Sequence, residues 1–436
     1  MKHEKFNYKS IDEIAKKADD LYVSIPMSQD TQNLFERLDK CGMTFENRFV
    51  IQPMEGCDAA ENGAPGLLTK RRYERFAQSG AAVIWFEAVA VQKAARAKPN
   101  QLYITDKNLK EYKALVDVIK ETSIKNGGSE VKVIMQAAHS GRYSNPNGYP
   151  EPIIAYNNPL FEKENPIDAK RIITDEELEK LEEDFEKAAK LAEAAGFDGV
   201  DIKCCHRYLG SELLSAYERP GKYGGTFENR TRLLRNGIAA AQASTGKDFC
   251  VTSRLNVYDG FPYPYGFGVK SDGGTTPDLT EGVQLVKILH EQYGVNMLNI
   301  TIGNPYMNPH VNRPYDRGNY IPDEHPLEGV SRLMDCVGTI KKNNPDMLII
   351  GSGFSYLRQF SPNLAAGAIQ QGLCDMAGFG RMAFAYPQFI QDLRNEGELD
   401  PKKVCVTCGE CARLLRAGEC AGCVVRDAQQ YKAADR

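Results

Sequence analysis

Three side chains within the six residues from 203 to 208, Lys203, His206 and Tyr208 in the segment DIKCCHRYLG, hold the clearest chemistry in this chain. An ammonium, an imidazole and a phenol are three different hydrogen-bond donors, and few reactions need all three so close together. They follow a short apolar run and precede a helical segment, where a strand gives way to a loop. A second group is the five cysteines between Cys405 and Cys423. Cys405, Cys408, Cys411 and Cys423 read C-x2-C-x2-C-x11-C, with Cys420 spare. In a cytosolic chain such crowding reads as metal binding rather than disulfides. Three thiols at this tight spacing suit the corner of a cubane iron–sulfur cluster, the fourth arriving from a loop. Structural zinc on two C-x2-C pairs, Cys405–Cys408 with Cys420–Cys423, is the competing reading.

Positioning these groups falls to eight short aliphatic runs that alternate with helix-period segments. The runs are Arg48–Gln52, Ala82–Glu87, Val131–Gln136, Gly199–Lys203, Phe249–Arg254, Met297–Thr301, Met347–Gly351 and Met376–Phe379. Each is apolar nearly throughout, as parallel strands buried on both faces are. The clearest helix opens at Thr174, where Thr174 and Glu177 form a capping box and Ile173 can staple to Leu178. Leu178, Leu181, Phe185, Ala188 and Ala192 mark its apolar face, and Gly196 ends it. Eight βα units predict a (β/α)8 TIM barrel, with a doubly wound open sheet as runner-up. Three connections, 139–172, 256–278 and 302–327, are long and rich in Pro, Asn, Gly and Tyr. All leave the C-terminal ends of strands, where barrel active sites are built, so they read as lids or binding walls. Residues 1–45 hold two amphipathic segments expected to pack across the barrel bottom. The expected division is an N-terminal extension 1–45, a barrel 46–397 and a cysteine-rich, cluster-binding C-terminal extension 398–436.

Composition excludes several classes. A net charge of −4 and a pI near 6 give no case for nucleic acid or anionic membranes. No apolar run approaches the roughly 18 residues of a spanning helix. The charged start, MKHEKFNYKSIDEIAKK, lacks the apolar core of a signal peptide, and a cytoplasmic location is expected.

The segment 201–230 resembles the fourth strand and loop of the old yellow enzyme family of flavin-dependent ene-reductases. There an H-x-x-(H/N)-x-Y pattern holds a substrate carbonyl and delivers a proton. Lys203 replaces the first histidine, while His206 and Tyr208 fall in register, and YGGTFENRTR is close to the family consensus. The resemblance implies FMN, and it extends over about 350 residues in the family's order. Pro53 and Met54 match the apolar-Pro-Met end of strand one, and Glu55 stands where the family has a small polar residue. Ala88 matches a small residue beside the cofactor, Gln136 the glutamine on the pyrimidine edge, and Arg254 the arginine facing N1 and O2. A fixed guanidinium there stabilises the charge that reduction places on the ring. GSGF, with Gly353 and Phe354, and GFGR, with Gly380 and Arg381, match the phosphate site after strands seven and eight.

In the family's reaction, hydride from reduced FMN reaches the β-carbon of an activated alkene and an acid protonates the α-carbon. The resemblance assigns Lys203 and His206 to the carbonyl oxygen and Tyr208 to the α-carbon proton. An ion pair between Lys203 and Glu55, and a packed core role for Tyr208, are the alternatives. The cysteine spacing resembles the 4Fe–4S segment that follows the barrel in trimethylamine dehydrogenase and 2,4-dienoyl-CoA reductase. Those relatives continue into nucleotide-binding domains, whereas this sequence has no strand–GxGxxG–helix unit. NADH or NADPH is therefore expected to reduce FMN directly in the pocket, or an electron-donor protein to deliver electrons through the cluster. The expected substrate is a small unsaturated carbonyl compound. Amine or N-methyl dehydrogenation and a flavin/iron–sulfur electron-transfer subunit are the other readings, and a homo-oligomer is left open.

Overall fold

The computed structural model describes residues 3–127, 129–318 and 320–431. Eight parallel strands close into a barrel: β1 (Phe49–Ile51), β2 (Val83–Ala90), β3 (Lys132–Ala138), β4 (Gly199–Ile202), β5 (Cys250–Asn256), β6 (Met297–Thr301), β7 (Leu348–Gly351) and β8 (Met376–Phe379). Each pairs with its neighbours in sequence, and β8 returns to β1 through Ala377–Phe49, Gly378–Val50 and Phe379–Ile51. The (β/α)8 reading is thus met and the open sheet is excluded. All eight runs are strands, although β2, β3 and β5 extend further than their apolar runs suggest. The extra residues, Ala88–Ala90, Ala137–Ala138 and Leu255–Asn256, continue the pairing with a neighbouring strand toward the rim.

The helix Asp175–Ala194 shows why the units form. Thr174 Oγ1 accepts the Glu177 N–H at 3.2 Å, and Glu177 returns a carboxylate to the Thr174 N–H at 2.8 Å. Its apolar residues Leu178, Leu181, Phe185, Ala188 and Ala192 are all buried, and Gly196 has the positive φ that follows a helix end.

The first 45 residues divide between two places. An antiparallel ribbon, Leu38–Lys40 with Met43–Phe45, closes the barrel's N-terminal end. There Phe45 packs with Val50, Trp85, Ile134, Leu348 and Met376. The helix Ile11–Asp20 does not cross that end. Its segment runs up the flank: Asn33 and Ser28 bond to the helix Ser361–Gln370, and the Phe6 N–H donates to Asp316 Oδ2 at 3.0 Å. Asp316 lies in the loop after β6, so this end of the chain reaches the opposite rim. A cavity of about 920 Å³ lies beside the ribbon, and none of the candidate side chains lines it.

Two of the long loops are pinned by buried ion pairs. Arg142 meets Glu162 at 2.6 Å and Glu212 at 2.7 Å. Arg207 meets Asp259 at 2.8 Å and Ser215 Oγ at 2.6 Å. The Asp259 carboxylate also accepts from Asn256 and the Phe267 N–H, which ties 256–278 to its own strand. Among the described residues, no helix is long and apolar enough to cross a membrane.

Candidate active site

Every candidate side chain sits at or beyond the C-terminal end of a strand. Past β1 the chain turns through Pro53, Met54 and Glu55 into the mouth of a pocket. The turn is anchored from behind: the Gly56 N–H donates to Glu87 Oε2 at 2.8 Å, and the Gly56 carbonyl accepts from Ala421 at 2.8 Å. Glu87 is itself held by Arg72 at 2.5 Å, an arginine shared with Asp58. Glu55 is therefore presented by a buried charge network rather than by a free loop.

His206, Arg254, Gly353, Gly380 and Arg381 line the same pocket. His206 and Arg207 both have positive φ, 64° and 61°, which is rare for side chains of this size and common where function overrides local preference. Burial first, then Arg254, Lys203 and Arg313, push the His206 pKa well below the ordinary imidazole value. The ring is neutral, and its buried Nε2 meets no partner among the described residues. Arg254 is buried, and desolvation lowers its pKa. Its backbone N–H is fixed by Asp201 at 2.7 Å, while Nε meets no partner. Arg381 Nη1 is likewise buried without a partner. Gly353 has φ 91°, and a Cβ on Gly380 would stand 2.8 Å from Met54 Sδ, so glycine lets β8 press against the β1 turn.

Other expected residues stand behind this lining. Gln136 donates from Nε2 to Asp201 at 2.7 Å, and Asp201 also receives Trp85 Nε1 at 2.7 Å. Ala88 packs in a small cluster with Ala97, Ala138 and Tyr208. Phe354 is buried and packs against Phe379. Lys203 and Tyr208 meet at Glu55: Lys203 Nζ is 3.4 Å from Glu55 Oε1, and the Tyr208 hydroxyl donates to that oxygen at 3.1 Å. Lys203 Nζ also lies 3.6 Å from the centre of the Tyr208 ring. The ion pair weighed from sequence is formed, and it includes the tyrosine. Burial, then Glu55 and Tyr306, push the Tyr208 pKa well above the ordinary phenol value, so the hydroxyl keeps its proton.

Several lining residues had no motif to announce them. Tyr306, from the loop after β6, places its hydroxyl 3.2 Å from that of Tyr208 and stacks on Tyr143 at 4.0 Å. Arg313, Cys411 and Arg416 form the outer wall. The Pro- and Tyr-rich character of 302–327 was the one sequence signal for Tyr306 and Arg313; Arg416 had none, and Cys411 enters the wall from the cysteine motif.

Beside this wall, Cys405, Cys408, Cys411 and Cys423 line one further cavity. Cys405 Sγ accepts the Thr407 N–H and Cys423 Sγ the Arg426 N–H, both at 3.4 Å. Cys420 is turned away, its thiol directed at the Cys57 carbonyl. Among the described residues, no three His, Cys, Asp or Glu side chains converge closely enough for a single metal ion.

The closed barrel thus carries at its C-terminal rim a pocket whose lining includes buried polar atoms without partners among the described residues. Residues 33–267 match the NADH:flavin oxidoreductase / NADH oxidase family. The chain belongs to that family. It is 27% identical to an NADH oxidase of Thermoanaerobacter brockii over 86% of this chain and 52% of that protein. It is 30% identical to an NADPH dehydrogenase of Geobacillus thermodenitrificans over 62% of this chain and 73% of that protein. The chain thus spans about half the length of the Thermoanaerobacter protein. Among solved structures, a 2-naphthoyl-CoA reductase complex superposes with TM-score 0.73 at 20% identity, covering 91% of this chain and 57% of that one. An old yellow enzyme homologue from Zymomonas mobilis superposes with TM-score 0.61 at 22% identity, covering 85% and 94%. These likenesses agree on the fold.

Proposed function

We propose that the chain is an FMN-dependent reductase of the activated C=C bond in α,β-unsaturated carbonyl compounds, using NADH or NADPH. The observation that carries this reading is the set of buried, unmatched donors, His206 Nε2, Arg254 Nε and Arg381 Nη1, around one pocket beside the Tyr208 hydroxyl. Buried donors without partners are costly, and a bound anionic ring system with a phosphate would satisfy them. Bound there, the flavin supplies hydride to the carbon β to the carbonyl. Arg254 would face the pyrimidine edge beside Gln136 and Ala88. Pro53, Met54 and Glu55 would border the ring, and Gly353, Phe354, Gly380 and Arg381 would hold the phosphate.

The remaining steps belong to side chains. Neutral His206 donates from Nε2 to the substrate carbonyl oxygen, an interaction that strengthens as charge gathers there. Lys203 is the second group assigned to that oxygen, and in the free protein Glu55 offsets its charge. Tyr208 holds the proton for the α-carbon on its hydroxyl, and Tyr306 stands where a proton can return to it. Cys405, Cys408, Cys411 and Cys423 would bind a 4Fe–4S cluster. Four thiols around one cavity, two of them accepting backbone N–H groups, suit a cluster better than one ion, and the orientation of Cys420 disfavours the zinc pairing. We place the barrel at 46–397, between an extension at 1–45 and the cluster segment at 398–436.

Two measurements test this. Anaerobically purified protein should hold one FMN and four irons per chain; absence of flavin after reconstitution sinks the reading, and zinc without iron removes the cluster. In stopped flow, Tyr208→Phe should leave flavin reduction by NADH or NADPH intact and slow reoxidation by an enone by about 10²-fold or more. Unchanged reoxidation would remove Tyr208 as proton donor.

A further inference from the structure

A second cavity, about 300 Å³, opens on the far side of the pocket's outer wall, between the loop after β6 and the helix Glu410–Ala417. Four arginines line it: Arg313, Arg317, Arg413 and Arg416. The one carboxylate in its lining, Glu410, is already paired to Arg413 at 2.8 Å. Arg313, Arg317 and Arg416 have no ion-pair partner among the described residues. Arg313 and Arg416 line the flavin pocket as well, so the two cavities share a wall. Arg313 Nε is buried without a partner.

Three buried arginines elsewhere in the fold, Arg72, Arg142 and Arg207, sit on carboxylates, whereas Arg313 and Arg416 are half-buried and Arg317 is exposed. Three unpaired guanidinium groups around one half-enclosed space are an arrangement that an anion would stabilise. Their planar forks match phosphate oxygens in geometry. One phosphate, that of the flavin, is assigned above to the glycines after β7 and β8 with Arg381. Arg317 is exposed and lies outside that pocket, so an anion held there would be a different one.

We propose that this cavity binds the diphosphate of a nucleotide-bearing reactant whose reactive end lies in the flavin pocket. The inference rests on the reading of that pocket as the flavin site. A nicotinamide dinucleotide and a coenzyme A thioester both carry an adenosine diphosphate unit, and either would fill the same chemistry.

The test titrates inorganic pyrophosphate into the FMN-loaded protein by calorimetry, in the wild type and in Arg317→Gln/Arg413→Gln, with FMN per chain measured first. Saturable binding to the wild type, weakened at least about tenfold in the variant at unchanged FMN content, is expected. Absence of saturable binding, or equal binding by the variant, overturns the proposal. A fall in FMN content with pyrophosphate binding unaltered also overturns it, because the arginines then serve the flavin. Steady-state arms separate the sources. If the variant raises KM for NADH or NADPH but not for 2-cyclohexenone, the occupant is the electron donor. If it raises KM for crotonyl-CoA alone, the occupant is the thioester. A wild type without flavin would fail at the first measurement and so condemn the pocket reading, not the cavity.

Discussion

The two sides of the barrel's C-terminal rim are both rich in buried arginine and use it in opposite ways. Under the loops after β3, β4 and β5, Arg142 and Arg207 sit within 2.8 Å of Glu162, Glu212 and Asp259, all with side chains at most 5% exposed. Around the pocket assigned above to the flavin, Arg254, Arg313 and Arg381 have no carboxylate partner among the described residues, and each keeps a buried nitrogen without a partner there, as Arg207 Nε also does on the paired side. A paired guanidinium in a dry site is neutralised and rigid, and removing either partner strands a charge. An unpaired one carries an unmet electrostatic demand that a ligand can satisfy. The difference separates the frame from the site: the first group holds loops, the second waits for anions.

Arg207→Ala should show the largest effect, a loss of about 3–5 kcal/mol in urea unfolding, because Asp259 would be left buried and uncompensated. Arg254→Ala, by contrast, should leave the apoprotein as stable as the wild type; an equal loss would erase the distinction. Arg254→Met should instead weaken flavin binding by the worth of one charged hydrogen bond, about 1.5–3 kcal/mol, read from flavin fluorescence quenching.

His139 sharpens the comparison on the paired side. Burial lowers its pKa to about 4, and its Nδ1 accepts the Gly141 N–H at 3.1 Å. The unfolded chain therefore binds a proton that the folded chain refuses. Stability contributed by the neutral ring is complete above the ordinary imidazole value and is lost as pH falls toward 4, at about 1.4 kcal/mol per pH unit. His139→Gln should flatten that slope between pH 6.5 and 4. The smallest effect belongs to a pair nearer solvent. Arg71 and Asp427 meet at 2.7 Å with Arg71 38% exposed, so Arg71→Ala should cost no more than about 1 kcal/mol in thermal unfolding.

Strand order and the Thr174 helix were legible because both depend on local pattern, apolar runs for buried strands and a capping box for the helix start. The N-terminal segment was less so. Amphipathicity showed that one face of the segment would be covered, as Ile14 and Ala18 are, but not which surface covers it. Tyr306 and Arg313 carried no motif, since a loop's composition shows that it is built for contact without showing its path.

By itself the sequence determined the eight βα units, the run Lys203–His206–Tyr208 after the fourth strand and the spacing of the cysteines. These features lie within a few residues of one another, where backbone periodicity controls geometry. Only the tertiary structure decided that Glu55 is shared by Lys203 and Tyr208, 148 and 153 residues away. It alone turned Cys420 from the other thiols, and it alone left Arg254 and Arg313 without carboxylates. Closing the barrel brings distant strand ends to one rim, and there proximity and burial, rather than order along the chain, choose each side chain's partner.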